Sequence, residues 1–104
     1  MIKATFVKSE GCIKSYKVEG HAKYAEHGKD IVCAAVSALG QTITHRLNPF
    51  TIRDQTEFVE GLIDVVLSRT NTTTMELTET LLLGLRLISN DYPNHVTVEV
   101  IKDE

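Results

Sequence analysis

The sequence predicts a two-layer α/β domain of the α+β type, with a mixed or antiparallel sheet carrying two helices on one face. Three observations point there. Period-two alternation opens and closes the chain, two segments of helical period lie between, and 104 residues contain no linker, internal repeat or low-complexity tract. The whole chain, residues 1–104, therefore reads as one domain.

The opening run Ile2-Lys3-Ala4-Thr5-Phe6-Val7-Lys8 alternates, with Ile2, Ala4 and Phe6 on one face, as a strand does. Ser9-Glu10-Gly11 is a turn signal, and Cys12 to Glu19 reads as the returning strand of a hairpin. From Gly20 to Lys29 neither period survives. This is a loop, longer than most connections, and long ordered loops in small domains often carry function.

Asp30 is placed to cap a helix whose apolar stripe is Val32, Val36, Leu39, Ile43 and Leu47. The stripe Cys33, Ser37, Gly40 and Thr44 is small and admits close approach of another element. Asn48-Pro49 ends this helix, because the residue before proline resists helical angles. Between Thr56 and Arg69, β-favouring residues flank Gly61, giving one bent strand or two short ones. Thr73 and Glu76 match a capping box ahead of the stripe Leu77, Leu81, Gly84, Leu85 and Ile88, and Asn90-Asp91-Tyr92-Pro93 should break that helix. His95 to Ile101 is the last strand, with Val96, Val98 and Val100 on one face.

Composition narrows the function. Hydrophobic residues make up 42%, and Gly and Pro number only 6 and 2, which excludes collagen-like and disordered classes. Lys and Arg total 11 against 14 for Asp and Glu, a net charge of −3 that disfavours binding nucleic acid or an anionic membrane through a basic face. Two cysteines, no signal-like N-terminal segment and no long apolar stretch lead us to expect a cytoplasmic protein. There is no phosphate loop, GxSxG elbow or dinucleotide fingerprint, so no cofactor is expected.

Chemistry concentrates in Gly20-His21-Ala22 through Asp30-Ile31-Val32-Cys33-Ala34-Ala35-Val36-Ser37. With Asp30 as cap, Cys33 is the third helical residue, where free backbone N–H groups and the helix dipole favour a thiolate. An imidazole beside it would complete a Cys–His pair for acyl transfer, and the same N–H groups could hold an oxyanion. His21 and His27 are both available as the base. His21 is preferred because it follows directly on a strand, whereas His27 lies mid-loop.

Plainer readings stand beside this one. A free cysteine among alanines is commonly a small core residue. Asp30 can be only a cap, and Ser37 only a packing residue or a hydroxyl bonded to its own helix. Cys12 reads as structural, and His45 and His95 as isolated surface or packing residues. His21, His27 and Cys33 are spaced too widely for a usual zinc site, so no metal is expected.

This segment resembles the ribosomal-processing cysteine proteases, the Prp family of Gram-positive and related bacteria. The likeness rests on Gly20-His21-Ala22, Gly28, the run Asp30 to Ser37, and the interval from His21 to Cys33. It implies a two-layer fold that forms homodimers and needs no cofactor. It also implies Cys33 and His21 as the catalytic pair, with Gly20, Asp30 and Ser37 in support. The implied activity is removal of a short N-terminal extension from the large-subunit ribosomal protein numbered twenty-seven, without contact to nucleic acid or membrane. Two rivals remain at this stage: a non-enzymatic ribosome-assembly or ribosomal-protein-binding domain, and a thiol redox sensor with Cys12 as the resolving partner.

Overall fold

Alternation makes the first strand and a tight turn returns it. In a computed structural model, which describes residues 1–103, β1 (Ile2–Ser9) and β2 (Cys12–Gly20) pair antiparallel through Glu10 and Gly11. Both turn residues have positive φ, 55° and 80°, the geometry that matches the twist of a two-residue hairpin. The register slips between Val7 and Lys8, leaving Lys14 as the extra residue of a bulge. That slip lets Ile13 and Tyr16, three positions apart, both reach the core.

Helix α1 (Ile31–Leu47) follows the loop, and a short 3-10 turn over Asn48–Phe50 closes it at the expected proline. The β-rich stretch is two strands rather than one bent strand: β3 (Glu57–Val59) and β4 (Leu62–Val66), reversed at Gly61 with φ 78°. Helix α2 (Thr72–Asp91) and β5 (Val96–Lys102) complete the chain. The sheet order is β3-β4-β2-β1-β5. It is mixed, because β5 runs parallel to β1 while every other pair is antiparallel. This is the predicted α+β architecture.

The core lies between one sheet face and the helices. Ile2, Ala4, Phe6, Tyr16, Val18 and Val65 from the sheet meet Val32, Val36, Ile43, Leu47, Leu81 and Leu85. Phe6 and Tyr16 stack with ring centroids 5.7 Å apart. The small stripe of α1 does allow close packing: a methyl at Gly40 would meet the Ile63 side chain at 2.8 Å, and Thr44 hydrogen-bonds the buried Tyr16 hydroxyl at 2.8 Å. Burial pushes the Tyr16 hydroxyl up to about 12, with the Thr44 bond acting the other way.

Two boundary expectations need correction. The second helix is capped by Asn71, not Thr73. Asn71 Oδ1 accepts from the Thr74 N–H at 2.9 Å, and Thr74 Oγ1 accepts from the Asn71 N–H at 2.9 Å. Asn71 accepts at one atom and reciprocates through its own backbone, so the box closes two residues before the expected site. The helix also continues through Asn90 and Asp91, ending on Tyr92, whose N–H reaches the Ile88 carbonyl. No helix among the described residues is long and apolar enough to cross a membrane.

Candidate active site

Asp30 organises the site by satisfying two segments with one carboxylate. As the cap of α1, its Oδ1 accepts from the N–H groups of Val32 and Cys33, each at 3.0 Å. Its Oδ2 reaches back across the loop and accepts from Tyr24 at 2.9 Å and Ala25 at 3.3 Å. Burial disfavours the charged form, but the four N–H donors outweigh it and hold the carboxyl below its ordinary value. The cap was legible in the sequence; the clamp on the loop was not.

One expectation fails here. The first-turn N–H groups of Val32 and Cys33 are not free for a thiolate or an oxyanion, because the Asp30 carboxylate takes both. A tethered anion at the cap position occupies them ahead of any ligand. The donor that faces the sulfur comes instead from the loop. The Ala22 N–H donates to Cys33 Sγ at 3.2 Å, and Ala22 is buried while Cys33 is half-buried.

Strand β2 delivers His21 and Ala22 to this place. Gly20 ends the strand with φ 98°, and a side chain there would run into the Met1 carbonyl, so only glycine fits. Its N–H donates to the Gly61 carbonyl at 3.0 Å, pinning the strand end to the β3–β4 turn. The Met1 amine donates to the His21 carbonyl at 2.6 Å. The exposed His21 ring lies over Gly61, where a methyl would stand 3.0 Å from Nε2. The hydrogen-bond partner of Cys33 Sγ is the Ala22 amide and not the His21 ring.

His21 and Cys33 nevertheless line one cleft of about 1050 Å³, together with Gly20, Asp30, Ser37 and Gly61. All five residues singled out from the sequence thus border the same space. Ser37 Oγ accepts from Gln41 Nε2 at 2.6 Å, one turn along the same helix. His27 also borders the cleft but is turned outward, 3.7 Å from Glu60 of the opposite turn. His45 sits apart, its ring tilted against Phe58. No group of three metal-ligating side chains gathers among the described residues.

Cys12 and Cys33 are both free thiols. Cys12 begins β2 and Gly20 ends it at the cleft, eight strand steps or roughly 27 Å away. Cys12 is therefore far beyond disulfide reach of a thiol beside Ala22, which removes the expected resolving partner of a redox sensor.

Sequence reasoning missed Gly61, Ala22 and His95. Gly61 read only as a break between strands, and Ala22 acts through its backbone, which no side-chain pattern advertises. His95, expected to be isolated, is half-buried and in contact with the Ala22 carbonyl from 73 residues away. No local signal connects two such positions.

Comparison with known proteins points to one family. The family model described as Cysteine protease Prp matches residues 1–97. A ribosomal processing cysteine protease Prp of Bacillus subtilis is 50% identical over 40 residues, covering 38% of this chain and 36% of that protein. The Prp of Mycoplasma genitalium is 33% identical over 84 residues, covering 77% and 81%. Among solved structures, SMU.848 from Streptococcus mutans superposes with a TM-score of 0.77 at 30% identity, over 99% of this chain and 96% of its own. Prp from S. aureus, with a covalently linked product peptide, reaches 0.86 at 21% identity over 96% and 99%, a likeness of fold.

Proposed function

The chain belongs to the cysteine protease Prp family, and from that premise we propose that it removes the N-terminal extension of the large-subunit ribosomal protein numbered twenty-seven, with Cys33 as nucleophile and His21 as base. The observation that carries this reading is the shared cleft. The sulfur and the imidazole open onto one space large enough for a peptide, between α1 and the β3–β4 turn.

The reaction is acyl transfer in two halves. His21 takes the proton of the Cys33 thiol, and the thiolate attacks the scissile carbonyl carbon. A C–S bond forms and the carbonyl π pair moves onto oxygen. When that pair returns, the C–N bond breaks and the leaving amine takes the proton from the His21 imidazolium. A water molecule, deprotonated by His21, then attacks the thioester and the C–S bond breaks. The product leaves as the acid, which ionises to the carboxylate by giving its proton to water, and the His21 imidazolium returns its proton to the sulfur, restoring the thiol. For this to run, the ring of His21 must swing toward the sulfur through the open space that the missing side chain of Gly61 leaves it. Its exposure permits that, and apo sites commonly tighten only around substrate.

Supporting roles follow from contacts. Gly20 fixes where β2 ends, Asp30 ties the loop to α1, and Ser37 presents a hydroxyl one turn beyond the sulfur. The loop tip, residues 26–29, is the part that closes over the bound peptide. It is held only by a turn bond from the Lys29 N–H to the Glu26 carbonyl and by exposed ion pairs, whereas Tyr24 and Ala25 are clamped by Asp30. The net charge of −3 complements a basic ribosomal substrate. In this reading the protein acts in the cytoplasm as a homodimer, and Leu83 and Leu87, exposed one turn apart on α2, are apolar surface such a contact would cover.

The test is cleavage of a peptide carrying that N-terminal extension. Cys33→Ala and His21→Ala should each abolish cleavage with the fold intact, and Cys33→Ser should be nearly inactive, because an alcohol lacks the accessible anion. Cleavage surviving in Cys33→Ala would overturn the proposal.

A further inference from the structure

Ala22 is held from both sides. Its N–H donates to Cys33 Sγ at 3.2 Å, and its carbonyl lies 2.9 Å from His95 Nδ1. A carbonyl can only accept, so Nδ1 carries the proton and donates. His95 is itself fixed by the sheet: its carbonyl accepts from the Ile2 N–H at 2.8 Å, and its N–H reaches the Tyr92 carbonyl at 3.0 Å. Tyr24, two residues beyond Ala22, stands edge-on against both the His95 and Tyr92 rings, with centroids 5.3 Å away in each case. The turn from α2 into β5 thus forms a back wall for the loop segment that faces the sulfur.

That wall matters because the helix amides at and beside Cys33 are already taken. The N–H groups of Val32 and Cys33 are consumed by Asp30, and that of Ala34 by the Asp30 carbonyl. The Ala22 N–H is the donor already aimed at the sulfur. Once Cys33 attacks a carbonyl, the new oxyanion lies one bond from the carbon joined to that sulfur, within reach of the same N–H. Its present partner, the sulfur, becomes a poor acceptor as it turns into a thioether-like atom. The donor is then free to follow the charge, provided Ala22 does not move.

We infer that His95 is a positioning residue for the proteolytic reaction: by donating to the Ala22 carbonyl it holds the Ala22 amide in place, first at the Cys33 sulfur and then at the developing oxyanion. This rests on Cys33 being the nucleophile. It adds a second histidine with a role distinct from that of His21, since its Nδ1 is committed to a carbonyl and its work is orientation.

The experiment compares His95→Ala, His95→Asn and His95→Gln by steady-state cleavage of the substrate peptide. The amide nitrogen of asparagine falls near the place of Nδ1, whereas that of glutamine lies one carbon farther out. Loss of a single oxyanion donor typically costs about 100- to 1000-fold in kcat. Loosening that donor should cost roughly tenfold or more in His95→Ala, with KM little changed, because the interaction strengthens only in the transition state. His95→Asn should recover most of that loss, and His95→Gln should not. If His95→Ala folds poorly, the contrast between Asn and Gln alone decides. Equal kcat in those two variants, or a loss carried entirely by KM, would overturn the inference. Failure of the underlying reading shows differently, as cleavage that persists in Cys33→Ala.

Discussion

The imidazole of His21 rests on Gly61, so close that a methyl group on that glycine would stand 3.0 Å from Nε2 and 3.2 Å from Cε1. Gly61 therefore does two jobs at once. Its φ of 78° turns the β3–β4 hairpin, and its missing side chain leaves room for the ring. Gly61→Ala should strain the turn by about 1 kcal/mol and push the ring off its seat. Cleavage should fall at least about tenfold while most of the fold survives, since small misplacements of a catalytic group are costly. Wild-type kcat/KM in this variant would show that the ring position is incidental.

Asp30 uses its two oxygens for different segments, and an amide separates them. Asparagine keeps one acceptor and remains a good helix cap, but it replaces the other oxygen with an N–H₂ group facing the N–H groups of Tyr24 and Ala25. Asp30→Asn should therefore preserve α1 and release the loop. Hydrogen exchange should speed up at Tyr24 and Ala25 while the amides of Val32 and Cys33 stay protected.

The same carboxyl gives a pH signature. Its folded-state value lies below the ordinary 3.8, so its contribution to stability is complete above 3.8 and drains away as pH falls toward the lower folded value. Urea titrations in that acid window should show wild-type protein losing stability that Asp30→Asn never had. Parallel curves for the two proteins would contradict the four-donor account.

At the alkaline end the relevant group is Tyr16. Its hydroxyl is raised from 10.0 to about 12, so the stability linked to its neutral form is intact below 10 and is lost as pH climbs through 12. Two pH units correspond to an upper bound of about 3 kcal/mol. Tyr16→Phe removes that dependence, although it leaves Thr44 Oγ1 without its partner. The stability gap between wild type and Tyr16→Phe should narrow across this window, and phenolate absorbance should report a late-titrating tyrosine.

The two capping candidates of α2 can be told apart directly. Asn71→Ala removes the observed cap and should cost about 1 kcal/mol, or roughly 5 °C in Tm. Thr73 is exposed, and Thr73→Ala should change stability by no more than about 0.5 kcal/mol. Thermal unfolding followed by circular dichroism distinguishes them.

Much of this protein was written in short-range pattern. Alternation at Ile2, Ala4 and Phe6, the stripe from Val32 to Leu47, the glycine between β3 and β4 and the cap at Asp30 each depend on neighbours a few residues away, so the type and order of the elements could be read directly. The same locality puts Cys33 at the third position of α1. What folding alone decided is which groups face that sulfur. The carboxylate of Asp30 closes over the helix end, an amide from Ala22 replaces the expected donors, Gly61 seats the ring of His21, and His95 backs the loop from the far end of the chain. Those contacts depend on strand register and on where β5 enters beside β1. Both are settled by burying the whole core at once, and no stretch of ten residues contains them.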